Sequence, residues 1–361
     1  MNLNIQKSQS ISFTNQKSGI FQHMKLGALL IFKNEKDVIL GYMSNVSQFA
    51  DIVVGYDDGS TDGSAELFTK LGGELILEKS SKNYGDGGQY EMRQLTLEYA
   101  RRLGCTHFVV LDADERLYFS DKKILYLNLE NLEAGQKLAI DWVNLWNSFD
   151  EYCAFGGHWA PRKKSFFLKD HPRMTYLTFD GHKDIFHSDR LPIMPNAKKW
   201  QELNQPDFAV LHLQFGNPRK NLTQKAWYQA LELIKQPYAA AFINQVYNTD
   251  KKYLIETEPI PVGWNDVLKI DSSKSYVLED DWRYKQVLIE FDKRGIEFFE
   301  KLDFWYDEVF SKLWEEKKSI PPRIAKYPTP LEKILWQKEI SIRNFFRLKL
   351  HLINVLKSFK L

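Results

Sequence analysis

The chain has 361 residues, more than one hydrophobic core usually organises, so one large domain with a smaller appended one, or two domains, is expected. A hydrophobic share of 43% and a charged share of 27% are those of a soluble globular protein, and a net charge of +2 excludes wholesale nucleic-acid binding. Cys105 and Cys153 have no metal-ligand spacing and are too few for a disulfide framework, which fits a reducing cytoplasm.

Residues 1–25 form a polar segment without the apolar core of a secretory signal. Apolar runs elsewhere are too short to span a bilayer. From 26 to 117, short apolar runs alternate with amphipathic segments. "LGALLIF" predicts a buried strand, "EKDVILGYMSNVSQF" a helix, and "DIVVGY" a second strand. "GSAELFTKLG" predicts a helix closed by Gly72 and Gly73, and "ELILEK" a third strand. "GGQYEMRQLTLEYARRLG" predicts a long helix closed by Gly104, and "HFVVL" a fourth strand. This alternation predicts an α/β fold with a Rossmann-like, mostly parallel sheet carrying helices on both faces. Ligands bind such sheets at the carboxyl ends of the strands.

Polar residues fall at those ends. The first strand runs into Lys33, Asn34 and Glu35, the second into Asp57 and Asp58, and the fourth into Asp112, Asp114 and Glu115. Carboxylates crowded in this way repel unless a cation or hydrogen-bond donors compensate. A calcium loop of the helix-loop-helix type starting at Asp58 fails, because its twelfth position is Thr69 instead of Glu. "DDGSTDG" reads better as a turn in which Gly59 permits close approach of a ligand and Thr61 or Asp62 caps the next helix.

Segment 118–216 carries aromatics and histidines in short stretches, predicting short strands and loops with little helix, and from "PRKNLTQKAWYQALELIKQ" onward helices are expected. "FGGHWAPRKKSFF" sets small residues beside His158 and Trp159, which fits a wall for stacking a sugar or ordinary core packing. Over 226–361 a helical region is expected, interrupted by "SIPPRIAKYPTPLEK". Its terminal stretch, 341–361, contains Arg343, Arg347, Lys349, Lys357 and Lys360 and no acid. Written as a helix it places Phe345, Leu348, Leu352, Val355 and Phe359 along one side. Two readings stay open: a helix lying on an anionic membrane surface, hence peripheral to the cell membrane, or a core or oligomer helix with a solvated basic face.

"FKNEKDVILGYMSNVSQFADIVVGYDDGSTDGSAE", followed some fifty residues later by "VVLDADERL", resembles the nucleotide-sugar-binding half of family 2 type glycosyltransferases, which have the A-type fold. The resemblance covers about 26–117 and is diffuse beyond, so the expected transferase domain is 26–225, with 118–225 as its acceptor half. It implies a nucleoside-diphosphate sugar donor, with UDP as the nucleotide, and a glycan or lipid-linked acceptor. It further implies that Glu35, after Asn34, and Asp57 or Asp58 contact the uridine part, that Asp112 sits near the ribose and metal, and that Asp114 binds Mn2+ or Mg2+ on the diphosphate. Arg93 looks like the family's basic residue near that site. His212, at the end of "FAVLH", occupies the place where related enzymes add a histidine to the metal shell, and imidazole suits Mn2+ better than Mg2+. Arg219 and Lys220 just beyond fit diphosphate neutralisation or a solvated face.

An inverting transfer needs a general base on the acceptor hydroxyl. The sequence departs from the family here, lacking a Glu-Asp pair followed by Gln-X-X-Arg-Trp. Asp184 and Asp180 in "TFDGHKDIF" are the candidates by position, with Asp141 and Asp170 behind them. Two rivals use the same residues. A haloacid-dehalogenase-type phosphatase wants Thr or Val two residues after its second Asp, where Arg116 stands. A non-catalytic glycan- or partner-binding protein could be built on a degenerate transferase scaffold. Glu115 has no role in any of these readings.

Overall fold

The computed structural model describes residues 24–82, 88–176, 191–192, 201–204, 207–247, 254–272, 276–335 and 337–338. Asp180, Asp184 and the basic stretch 341–361 lie outside them.

The run LGALLIF forms β1 (Leu26–Phe32), which is central in the sheet and therefore apolar on both sides. Leu26, Ala28, Leu30 and Phe32 enter one core, while Leu29 and Ile31 pack into the core on the opposite face. Each fully buried side chain of this size contributes about 1.5–3 kcal/mol. On either side of β1, β2 (Ile52–Asp57) and β4 (His107–Val110) run parallel to it. The intervening helices are α1 (Lys36–Val46), α2 (Ser64–Lys70) and α3 (Gln89–Arg102). α1 buries Val38, Ile39, Tyr42, Met43 and Val46, the spacing of one helical stripe. Gly55 lets α2 lie close to β2, since a Cβ there would meet the Phe68 ring at 2.5 Å.

The third strand is shorter than the sequence predicts. β3 (Glu74–Leu75) pairs only with β2 at the edge of the sheet, and beyond it Leu77 is 82% exposed. An edge strand pairs on one side only and gains less by continuing.

After β4 the chain turns through Asp112–Asp114 into β5 (Glu115–Phe119), then α4 (Lys122–Glu130), β6 (Lys137–Asn144), β7 (Glu151–Phe155), β8 (Arg162–Lys169), β9 (Gln201–Glu202) and β10 (Phe208–His212). In this middle part, where little helix is expected, the described residues include one short α-helix, α4, capped by Asp121, whose carboxylate accepts from the Lys123 N–H at 2.7 Å. Among the described residues one sheet of nine strands has the order β3-β2-β1-β4-β8-β6-β10-β5, with β9 beside β6. β8 is antiparallel to both β4 and β6, and β10 is parallel to β6. Hence β1, β2, β4, β6 and β10 all point the same way, and their carboxyl ends share one edge.

α5 (Pro218–Lys235) starts at that edge and leads into a second core with α6 (Ala240–Tyr247), α8 (Trp282–Arg294) and α9 (Glu308–Lys317), whereas α7 (Asn265–Ser272) places Leu268 in a core with Val143 and Leu211 of the sheet. β11 (Glu256–Pro259) pairs antiparallel with β7 in a separate ribbon. Phe291 of α8 is central to the second core, stacking on Trp305 at 5.0 Å and meeting Phe299, Phe304 and Phe310. Buried charge ties α7 to the sheet. Arg116 and Asp271 of α7, with side chains 0% and 2% exposed, form a bidentate pair at 2.7 and 2.8 Å. Among the described residues no helix is long and apolar enough to cross a membrane.

Candidate functional site

The shared carboxyl edge gathers Asn34 and Glu35 after β1, Asp57 and Asp58 at β2, Asp112 and Asp114 after β4, Asn144 at the end of β6 and His212 at the end of β10. Asn34 and Asp57 build the loop. Asn34, at φ 54°, accepts the Thr61 N–H on Oδ1 at 2.7 Å, and Asp57 accepts the Ser60 N–H at 3.0 Å. Asp58 is paired with Lys33 at 3.5 Å. Arg93 lies half-buried in the first half of α3.

His212 has defined chemistry. The Asn144 amide donates from Nδ2 to the Trp159 carbonyl at 2.9 Å, so its Oδ1 faces His212 Nδ1 at 2.8 Å. Nδ1 must therefore carry the hydrogen, which leaves Nε2 with its lone pair in the neutral ring. That nitrogen stands 3.4 Å from Asp114 Oδ2. A lone pair and a carboxylate oxygen this close repel each other unless a proton or a metal ion lies between them. Two donors about 2.1–2.3 Å from one cation and about 90–105° apart around it are about 3–3.6 Å from each other, so the observed pair fits adjacent positions of a metal shell. Among the described residues no three His, Cys, Asp or Glu side chains converge as a complete shell. Backbone geometry supports the pair, because the Leu213 N–H donates to the Asp114 carbonyl at 2.9 Å and ties the two strand ends together.

Cations from the helical part flank the acids. Arg283 of α8 binds Glu35 at 3.0 Å, and Lys220 in the first turn of α5 bonds Asp37. Burial pushes the Glu35 carboxyl up to about 7, against the pull of Arg283 and Lys220, and the Asp37 and Asp114 carboxylates push the same way as burial. For Lys220, burial acts downward, but Asp37 and Glu35 outweigh it and the ammonium is held above its usual range. Arg283 gave no sequence signal, since it arrives from nearly 250 residues beyond Glu35.

Beside the Asp114–His212 pair is an aromatic cluster. Trp142 packs on His212 with centroids 4.6 Å apart, and Phe215 stacks on Trp146 at 4.9 Å and meets Trp159 at 4.5 Å. Trp159, expected either as a stacking wall or as core, thus lies in this cluster. The two reserve candidates for the base are engaged elsewhere. Asp141 pairs with Lys163 at 2.9 Å, and Asp170 grips Arg101 at the opposite edge, where β8 ends beside the start of β4. Asp184 and Asp180, the first candidates, lie outside the described residues.

The described residues define an α/β protein with a Rossmann-like parallel half, whose acids, imidazole and cations converge at the carboxyl edge of the sheet. No protein-family model and no curated protein matches the chain. Similar solved structures include glucosyl-3-phosphoglycerate synthase from Mycobacterium tuberculosis in complex with Mn2+, uridine diphosphate and glucosyl-3-phosphoglycerate. It is 17% identical over 33% of this chain and 44% of that one, with a TM-score of 0.25. Mannosyl-3-phosphoglycerate synthase from Rubrobacter xylanophilus is 18% identical over 35% and 42%, at 0.24. Mannose-1-phosphate geranyltransferase from Thermus thermophilus is 14% identical over 41% and 51%, at 0.25. The chain spans about half or less of each of these proteins. Scores this low carry no argument, and the fold rests on the strand order above.

Proposed function

We propose that the protein is a metal-dependent glycosyltransferase of the A-type fold, related to family 2, that moves a sugar from a UDP-sugar to a hydroxyl of a glycan or lipid-linked acceptor. The observation that carries this reading is His212 Nε2 facing Asp114 Oδ2 at 3.4 Å on the carboxyl edge of the sheet. Oxygen and imidazole donors in that arrangement suit Mn2+, with the remaining positions left for diphosphate oxygens. When bound, the metal would offset the charge that grows on the leaving diphosphate.

The chain's own residues supply the rest. Asp114 and His212 hold the metal, with Asp112 beside them near the ribose. Glu35, Asp57 and Asp58 line the nucleotide end, and Arg93 lies on α3 toward the same edge. Lys220 and Arg283 keep the edge from becoming a purely acidic surface, which would reject a diphosphate. Asp184 or Asp180 would take the proton of the acceptor hydroxyl, giving inversion at the anomeric carbon. The basic stretch 341–361 would rest on an anionic membrane surface, placing the enzyme at the cytoplasmic face. Deleting it should release the protein from anionic vesicles, and unchanged vesicle binding would remove that part of the reading.

The test is Mn2+-dependent release of UDP from a panel of UDP-sugars, expected in the wild-type protein and lost in Asp114→Asn. A folded wild-type protein that neither releases nucleotide nor binds Mn2+ in the presence of UDP would overturn the enzyme reading in favour of a binding protein.

A further inference from the structure

Glu115 is fully buried, with 0% exposure, an expensive place for a carboxylate unless both oxygens are engaged. Its Oε2 accepts the Asp112 N–H at 2.8 Å, and its Oε1 accepts the Trp142 indole N–H at 2.7 Å. In return its own N–H donates to the Asp112 carbonyl at 3.0 Å, so residues 112 and 115 close the acidic turn reciprocally. Glu115 is also the register partner of His212 across β5 and β10, as Asn144 is across β6 and β10. The indole that Glu115 holds is the one packed on the His212 ring. A carboxylate on its N–H makes that ring more electron-rich, and Lys164 and Arg162 lie over it at 3.4 and 5.0 Å.

We infer that Glu115 is the positioning residue of the metal centre, one buried carboxylate that sets both the Asp112–Asp114 turn and, through Trp142, the imidazole of His212. The inference rests on the metal reading above and adds to it the part that prepares the ligands. Asn144 fixes which nitrogen of His212 faces Asp114, while Glu115 and Trp142 fix where the ring stands. Two donors on separate strands then keep their spacing before any ligand arrives, and outer residues of this kind are typically worth about 10–100-fold in metal affinity.

The experiment is titration of Mn2+ in the presence of UDP, read by electron paramagnetic resonance of the free ion, on variants whose fold is checked by circular dichroism. Glu115→Gln can accept only one of the two N–H groups, and Trp142→Phe keeps a ring against His212 but releases Oε1. Each should weaken Mn2+ binding about 10–100-fold. The double variant should lose less than the two single losses combined, because the two changes share the Glu115–Trp142 bond. If Glu115→Gln does not fold, Trp142→Phe carries the same test. Wild-type binding that is lost in Asp114→Asn yet unchanged in the folded Glu115 and Trp142 variants would overturn the inference and leave the metal reading standing. Absence of Mn2+ binding by the wild-type protein would overturn both.

Discussion

Asp271→Ala should be one of the most destabilising single changes in this protein. All five N–H donors of Arg116 are used: Nε and Nη2 on Asp271, Nη1 on the Ala113 and Glu115 carbonyls, and Nη2 again on the Val38 carbonyl. Removing Asp271 strands a guanidinium that is 0% exposed, with two donors unpaired and its charge uncompensated. Breaking a buried pair in this way costs about 3–5 kcal/mol. Asp271→Asn restores an acceptor without the charge and should cost roughly half as much. Replacing both partners, Arg116→Met with Asp271→Leu, should cost less than Asp271→Ala alone, because no charge is left behind. Urea denaturation followed by tryptophan fluorescence and far-ultraviolet circular dichroism measures all three. Because Arg116 also holds the Ala113 carbonyl between the two aspartates, Asp271→Ala should weaken Mn2+ binding as well. A loss under about 1 kcal/mol for Asp271→Ala, or a double variant less stable than the single one, would refute the reasoning.

Gly41→Ala tests the same pair from α1, since its Cβ would lie 2.4 Å from Asp271 Oδ1 and 2.7 Å from Arg116 Nη2; a loss of about 1–3 kcal/mol is expected in the same denaturation assay. Asn144→Ala frees the His212 ring to change tautomer, and Mn2+ affinity should fall about 10–100-fold by isothermal titration. Glu35 makes stability depend on pH. Its native value of about 7 lies above the ordinary 4.5, so the folded protein holds a proton that the unfolded chain has released. The contribution is complete below about 4.5 and is lost as pH rises through about 7, by at most about 3 kcal/mol. Denaturation midpoints measured across that range without metal should show the decline, and Glu35→Gln should flatten it.

The first third of the chain was legible because its instructions are local. An apolar run as short as LGALLIF, set between polar and amphipathic segments, reads as a strand buried on both faces, and helices between such runs favour parallel order. Parallel order in turn carries the residue after each strand to one edge, so Glu35, Asp57, Asp112 and Asp114 could be placed there before any contact was known. His212 was legible for the same reason, as a polar residue closing FAVLH. α4 escaped although its Asp121 cap and its buried Leu125, Tyr126 and Leu129 follow helical spacing, because the aromatics around it dominate the pattern of that region. β3 is shorter than "ELILEK" because strand propensity does not report that the strand lies at the edge of the sheet, paired on one side.

What the sequence determined by itself is therefore the order of strands and helices in its parallel half and the edge to which the acids belong, since both follow from periodicity and chain direction. The partners of those acids were decided only by tertiary structure. The antiparallel insertion of β8 between β4 and β6 makes β6 and β10 parallel to β4, and pairing of β10 with β6 and β5 sets Asn144 on one side of His212 and Glu115 on the other. Folding the helical part back brings Arg283 to Glu35 and Asp271 to Arg116, 248 and 155 residues apart in sequence. Charges so far apart along the chain have no local pattern to announce them, because the energy that joins them exists only once water has been excluded from between them.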